Sequence, residues 1–187
     1  LYSPFTNNPG NLKQAREDGF QGIGESQPWA QGFSIRDKEW IRVMEFACSH
    51  GWPVNFHVTD PSGKHYPGKT LTPMEDFLWL SKELPELKII LAHAGALYAL
   101  NHPVPENFYF DLAACPLLYP PSIYQQLIDS TGPEKILWGT DYPLLIYPKT
   151  QKKPEFRTFL EEFKDTVNAD NPEMEAMTGS NLCNLLP

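Results

Sequence analysis

Lys88-Ile89-Ile90-Leu91-Ala92-His93 is the stretch on which the fold turns. Its apolar residues run continuously instead of alternating with polar ones, the pattern of a parallel strand covered on both faces. The run ends in a histidine. A second continuous run, Ile136-Leu137-Trp138-Gly139-Thr140-Asp141, ends in an aspartate. Three shorter strand-like runs precede or separate them: Gln21 to Glu25, Val54 to Val58 and Phe108 to Leu112. Helical patterns lie between most of these runs. Residues 37–49 place Trp40, Val43, Met44 and Ala47 on one stripe, and Gly51-Trp52-Pro53 stops it. Thr72-Pro73-Met74-Glu75 reads as a capping box opening a helix that carries Phe77, Leu78 and Leu84. Residues 122–131 and 154–164 read as further helices, and a short one follows Asn171-Pro172 and breaks at Gly179. Pro103 and Pro105 limit the segment 94–107 to about two helical turns. Strands alternating with helices at these spacings define βαβ units and a parallel sheet.

The chain has 187 residues, with 23 acidic against 15 basic, a net charge of −8, 41% hydrophobic and 20% charged residues. That composition excludes a disordered or fibrous chain. The longest apolar run, Ala96 to Leu100, is far short of the roughly 20 residues of a membrane span. A net negative chain without a Lys/Arg cluster is a poor phosphate-backbone binder. The partner expected is therefore a small molecule, not nucleic acid or membrane. Cys48, Cys115 and Cys183 form no C-x-x-C and read as reduced thiols. The start, Leu1-Tyr2-Ser3-Pro4-Phe5, has no signal-peptide pattern, so a cytoplasmic location is expected. The 19 prolines point to long, stiff connections at 26–35, 59–71 and 142–153.

Polar residues close the strand-like runs: Glu25, His57 (followed by Asp60), His93, Asp111 and Asp141. In a parallel α/β sheet the carboxyl ends share one edge, where such folds place chemistry. Two histidines with two or three carboxylates suit a divalent metal. Asp111 reads first as a loop anchor or cap, and His50 as a cation at a helix carboxyl end. His65 and His102 fall in loops. No G-x-G-x-x-G or G-x-S-x-G is present.

Five segments occur in one order: Pro53-Val54-Asn55-Phe56-His57, Ile90-Leu91-Ala92-His93-Ala94-Gly95, Glu106 to Leu112, Ile136 to Pro143, and Gly179 to Leu186. Over residues 11–187 this order resembles the amidohydrolase-2 branch of the metal-dependent amidohydrolase superfamily. That branch includes aminocarboxymuconate-semialdehyde decarboxylase and lactone or carboxylic-acid hydrolases. The resemblance implies an α/β fold of the (β/α)8 TIM-barrel type. It implies a divalent metal, zinc first, with manganese or another ion as the alternative. His57 matches the family's fifth-strand metal ligand. His93 matches a sixth-strand acid/base or polarising residue. Asp141 matches an eighth-strand aspartate that binds metal and deprotonates water. Glu25, on the fourth strand, resembles the glutamate of branches that hold one or two metals. Trp29, Tyr66 and Tyr142 are expected to shape a substrate pocket.

The family's first-strand H-x-H pair has no match here. The five strands correspond to strands four to eight, so the first three are expected to be missing. Residues 1–187 are then one N-terminally incomplete barrel domain, about 60 residues short of the usual 250. A partial barrel has raw edges, and a homo-oligomer covering them is expected. The expected activity is metal-dependent hydrolysis of a small carboxylic acid, lactone or amide. The alternatives are non-oxidative decarboxylation on the same fold, a non-catalytic barrel scaffold, or an open doubly wound binding module.

Overall fold

A computed structural model describes residues 9–63, 65 and 67–187. Five short strands form its sheet: β1 (Ile23–Ser26), β2 (Val54–Phe56), β3 (Ile89–Leu91), β4 (Phe108–Asp111) and β5 (Ile136–Leu137). All neighbours are parallel, and the spatial order β1-β2-β3-β4-β5 is the chain order. A doubly wound sheet reverses its order at a switch point. This sheet has no reversal, which removes the doubly wound alternative and leaves an arc of the barrel kind. β2, β3 and β5 stop before the ends of their strand-like runs, so His57, His93 and Asp141 lie one, two and four residues beyond the ladder.

The helices are α1 (Pro9–Glu17), α2 (Lys38–Ser49), α3 (Met74–Glu83), α4 (Cys115–Leu118), α5 (Ser122–Thr131), α6 (Arg157–Thr166), α7 (Asn171–Glu175) and α8 (Asn181–Leu185). No helix among the described residues is long and apolar enough to cross a membrane. Two local expectations are corrected. The capping box at Thr72 does not form: Pro73 is the N-cap, with no side-chain cap bond. Thr72 Oγ1 instead accepts the Thr59 backbone N–H at 2.8 Å, so it is committed to the loop after β2. The last helix also does not break at Gly179. A π-helical turn, Ala176–Ser180, joins α7 to α8. The Met177 carbonyl there accepts the Trp138 N–H at 2.8 Å.

Side chains alternate across a strand. Val54, Ile89 and Phe108 form one transverse row, and Phe56, Leu91, Phe110 and Ile136 the next. These rows are fully buried with Trp40 and Met44 of α2, Phe77 and Leu80 of α3, Tyr124 of α5, and Phe159 and Phe163 of α6. Each such side chain contributes about 1.5–3 kcal/mol of burial. The other face carries Asn55, Ile90 and Tyr109 in register. Leu185 of α8 packs there with Ile90 and Leu137. Lys88 Nζ donates to the Leu185 carbonyl at 2.6 Å, and the buried Asn181 side chain donates to the Pro133 and Ile136 carbonyls at 2.8 Å each. The chain's own carboxyl end thus covers part of the face that an incomplete barrel was expected to leave open.

Candidate metal centre

Three strand ends bring their polar residues together. The register of β1 on β2 shifts between Ile23 and Ser26. Such a bulge re-aims a side chain, and here it turns Glu25 toward the end of β2. Gly24 makes the close approach possible, because a Cβ there would lie 2.8 Å from Asn55 Cβ. His57 follows β2 directly, and its backbone N–H donates to the Ser26 carbonyl at 3.0 Å. His93 lies two residues past β3. It opens a turn in which His93, Ala94, Gly95, Ala96 and Leu97 all have positive φ, between 49° and 61°. Gly95 is the residue this turn requires to be glycine: a Cβ there would meet the Phe110 ring at 2.8 Å.

Glu25 Oε1 lies 2.6 Å from His57 Nδ1 and 3.3 Å from His93 Nε2, and the two ring nitrogens are 3.1 Å apart. The rings meet edge to face, with centroids 4.8 Å apart. On its far side, His93 Nδ1 lies 2.8 Å from the Ala113 carbonyl. A carbonyl only accepts, so Nδ1 carries the hydrogen and donates, and Nε2 is the atom offered to the cluster.

Burial pushes the Glu25 carboxyl up, but hydrogen bonds and charge from His57 and His93 outweigh it and hold it at about 2. Burial pushes His93 down. The Glu25 hydrogen bond, the Ala113 carbonyl and the charges of Asp111 and Glu25 outweigh that and raise it to about 9. Asp111 is buried, and burial raises its carboxyl against the pull of Asn55, two backbone N–H groups and His93.

Two imidazole nitrogens and a carboxylate oxygen, all within 4.8 Å of one another, form a group that could hold a divalent metal. An ion about 2.1 Å from each ligand in tetrahedral geometry sets ligand atoms about 3.4 Å apart. The present spacings are those of shared protons, and side-chain shifts under about 1 Å reach the metal spacing. The donor set therefore fits the group that the strand-end pattern implied.

The remaining sequence-derived candidates lie in different places. Trp29 lines a cavity of about 180 Å³ with Gln27, His57, Thr59, Thr70 and Thr72. Its indole N–H donates to Asp76 Oδ2 at 3.3 Å, and its ring packs edge-on against Phe77. Tyr66 lies outside the described residues. Tyr142 is exposed (66%). Asp141 is exposed with φ 61°, its carbonyl accepts the Leu144 N–H, and its carboxylate is not a member of the ligand group. Asp60 belongs to the loop: it accepts from Ser62 and from the Tyr119 hydroxyl at 2.9 Å. His50 bonds the Phe46 carbonyl at the end of α2. Sequence reasoning reads His93 as an acid/base beside the metal; its Nε2 lies with the other two candidate ligand atoms. It also missed Asn55, whose only signal was an amide on an otherwise apolar strand.

A parallel sheet in chain order, with two imidazoles and a carboxylate converging at its carboxyl edge, defines an α/β protein of the TIM-barrel kind with a candidate metal site. The amidohydrolase family model (Amidohydro_2) matches residues 11–177, so the chain belongs to that family. Solved structures share its fold. The 5-carboxyvanillate decarboxylase of Sphingomonas paucimobilis aligns with a TM-score of 0.68 at 15% identity, over 98% of this chain and 63% of that one. A dihydroxybenzoic acid decarboxylase of Polaromonas sp. JS666, with bound manganese and the inhibitor 2-nitroresorcinol, gives 0.62 at 15% identity, over 98% and 65%. A "probable 2-pyrone-4,6-dicarboxylic acid hydrolase" of Acinetobacter baumannii, with citric acid bound, gives 0.65 at 15% identity, over 99% and 70%. The chain thus spans less than two thirds of the length of the two decarboxylases. No curated protein matches the chain.

Proposed function

We propose that this chain carries part of the active site of a metal-dependent amidohydrolase-family enzyme acting on a small carboxylic acid, and that the reaction is non-oxidative decarboxylation. The convergence of Glu25, His57 and His93 on one point carries the reading. The decarboxylases among the similar structures, one of them with manganese bound, turn it from hydrolysis toward loss of CO2. Glu25 Oε1, His57 Nδ1 and His93 Nε2 would hold the ion, zinc or manganese. A bound divalent ion supplies positive charge that polarises a carboxylate or carbonyl oxygen. Glu25 stays ionised throughout the neutral range and balances that charge. To serve as a ligand His93 would give up its Nε2 proton, while its Nδ1 would keep its own and donate it to the Ala113 carbonyl. Trp29, Thr59, Thr70 and Thr72 line the cavity beside His57 that would receive the substrate. In the reaction the bond from carbon to the carboxylate breaks, CO2 leaves, and the carbon that keeps the electron pair takes a proton. Asp141, outside the ligand group, is the residue we assign to exchanging that proton.

Hydrolysis by a metal-activated water on the same site is the second reading, favoured by the pyrone dicarboxylate relative. The test loads the purified chain with Mn²⁺ or Zn²⁺ and incubates it with hydroxybenzoic acids, 5-carboxyvanillate and 2-pyrone-4,6-dicarboxylate. Released CO2 and ring-opened product are measured separately, alongside metal content. CO2 release that disappears in His57→Ala is the expected result. Ring-opened product alone establishes the second reading. Metal content unchanged in Glu25→Gln, His57→Ala and His93→Ala overturns the site.

A further inference from the structure

Asp111 is a buried carboxylate that does not reach the ligand group, yet every hydrogen bond it accepts leads back to His93 or to the strand beneath it. Its Oδ1 accepts the Ala113 N–H at 2.9 Å and the His93 backbone N–H at 3.4 Å. Its Oδ2 accepts the Asn55 side-chain N–H at 2.7 Å. The same Ala113 whose N–H is held by Asp111 presents its carbonyl to His93 Nδ1. The contacts therefore close a ring from the Asp111 carboxylate to the His93 backbone, through the imidazole to the Ala113 carbonyl, and from the Ala113 N–H back to the carboxylate. Asn55, one strand further over, braces the carboxylate from the other side.

We propose that Asp111 is a positioning residue for the metal centre: it fixes the Ala113 carbonyl and the His93 backbone so that the imidazole is locked as the Nδ1–H form with Nε2 turned to the ligand group. The proposal rests on the metal-centre reading above. The backbone needs such a clamp, because His93 has φ 57° and Ala114 φ 55°. Left-handed geometry costs a non-glycine residue about 1–2 kcal/mol, so both turns depend on what the carboxylate holds. Burying a charge is also expensive unless donors surround it, and here three donors do. Groups that orient a metal-binding histidine typically change metal affinity by about 10–100-fold when removed.

The discriminating pair is Asp111→Ala and Asp111→Asn. Asparagine keeps an oxygen for Ala113 and His93, and its new N–H2 group can face the Asn55 amide oxygen, which is buried and has no partner. Metal binding is measured with Zn²⁺ or Mn²⁺ alone in a chelator competition. The His93 tautomer is read from ¹⁵N imidazole shifts of the metal-free protein at a pH well above 9, where the ring is neutral. Expected are an about 10–100-fold loss of affinity and a mixed tautomer in Asp111→Ala, with Asp111→Asn near wild type in both. Wild-type affinity, or an unchanged Nδ1–H tautomer, in folded Asp111→Ala overturns the proposal. If Asp111→Ala does not fold, Asn55→Ala removes only the brace; an about 3–10-fold loss of affinity supports the proposal, and no loss overturns it. If His93→Ala and His57→Ala bind metal as tightly as wild type, the metal-centre reading itself fails, an outcome distinct from both.

Discussion

Proton and metal compete for His93 Nε2, and the competition sets a pH profile. In the metal-free protein His93 is raised from 6.5 to about 9, because the Glu25 hydrogen bond and the surrounding negative charge outweigh burial. A folded-state value above the unfolded one stabilises the fold fully below about pH 6.5, and that stabilisation is lost as pH rises through about 9. The full difference corresponds to about 3.4 kcal/mol, shared with Glu25 because the two groups make the same contact. Metal binding needs the neutral ring. At pH 7 only about one His93 in a hundred is neutral, so affinity should rise about tenfold per pH unit and level off near pH 9. The assay is Zn²⁺ or Mn²⁺ titration against a competing chelator between pH 6.5 and 9.5. Calorimetry in buffers of different ionisation enthalpy counts the protons released. About one proton per metal at pH 7, and an about 100-fold gain in affinity by pH 9, are expected. His93→Ala should flatten the profile. A wild-type affinity changing less than about twofold across that range would refute the assignment of His93 as a ligand that must lose a proton.

Three further outcomes follow from the geometry. Glu25→Gln and His57→Ala should each lower metal affinity by more than about 100-fold, beyond the loss of a supporting group, while Asp141→Asn stays close to wild type; chelator competition checks all three. Gly95→Ala should cost about 2–4 kcal/mol, combining a left-handed φ with a Cβ 2.8 Å from the Phe110 ring, read as a shift of the urea midpoint at unchanged slope. Asn181→Ala should cost about 2–3 kcal/mol, because two carbonyls lose their donor and the tie between the carboxyl end and β5 goes with it; the same urea series measures it.

The parallel sheet was legible because its signal is local. Ile89-Ile90-Leu91 and Ile136-Leu137 are apolar without alternation, and the helix stripe at Trp40, Val43, Met44 and Ala47 is buried as read. The misreadings arose where a side chain had two partners to choose from. Thr72 has the sequence of a cap, but its hydroxyl is taken by the Thr59 amide thirteen residues away. Gly179 has the sequence of a break, but Trp138 donates into the turn it occupies and Asn181 anchors the next. The left-handed run from His93 to Leu97 has one glycine in five residues, so no propensity announces it.

The site was legible as a set of strand ends, but not as a set of distances. His93 lies two residues beyond β3, an interior strand paired on both sides, and its backbone is held by Asp111. Asp141 lies four residues beyond β5, which among the described residues pairs only with β4. The apolar run reaches Thr140, yet the ladder stops at Leu137, and Trp138 turns its N–H to Met177 instead. An edge strand lacks the second row of hydrogen bonds that would keep its end straight. The same run length therefore places a polar residue in the cluster from β3 and outside it from β5. A strand laid along the free edge of β5 would extend its ladder toward Asp141, so of all the sequence-derived site residues this aspartate depends most on what pairs with β5.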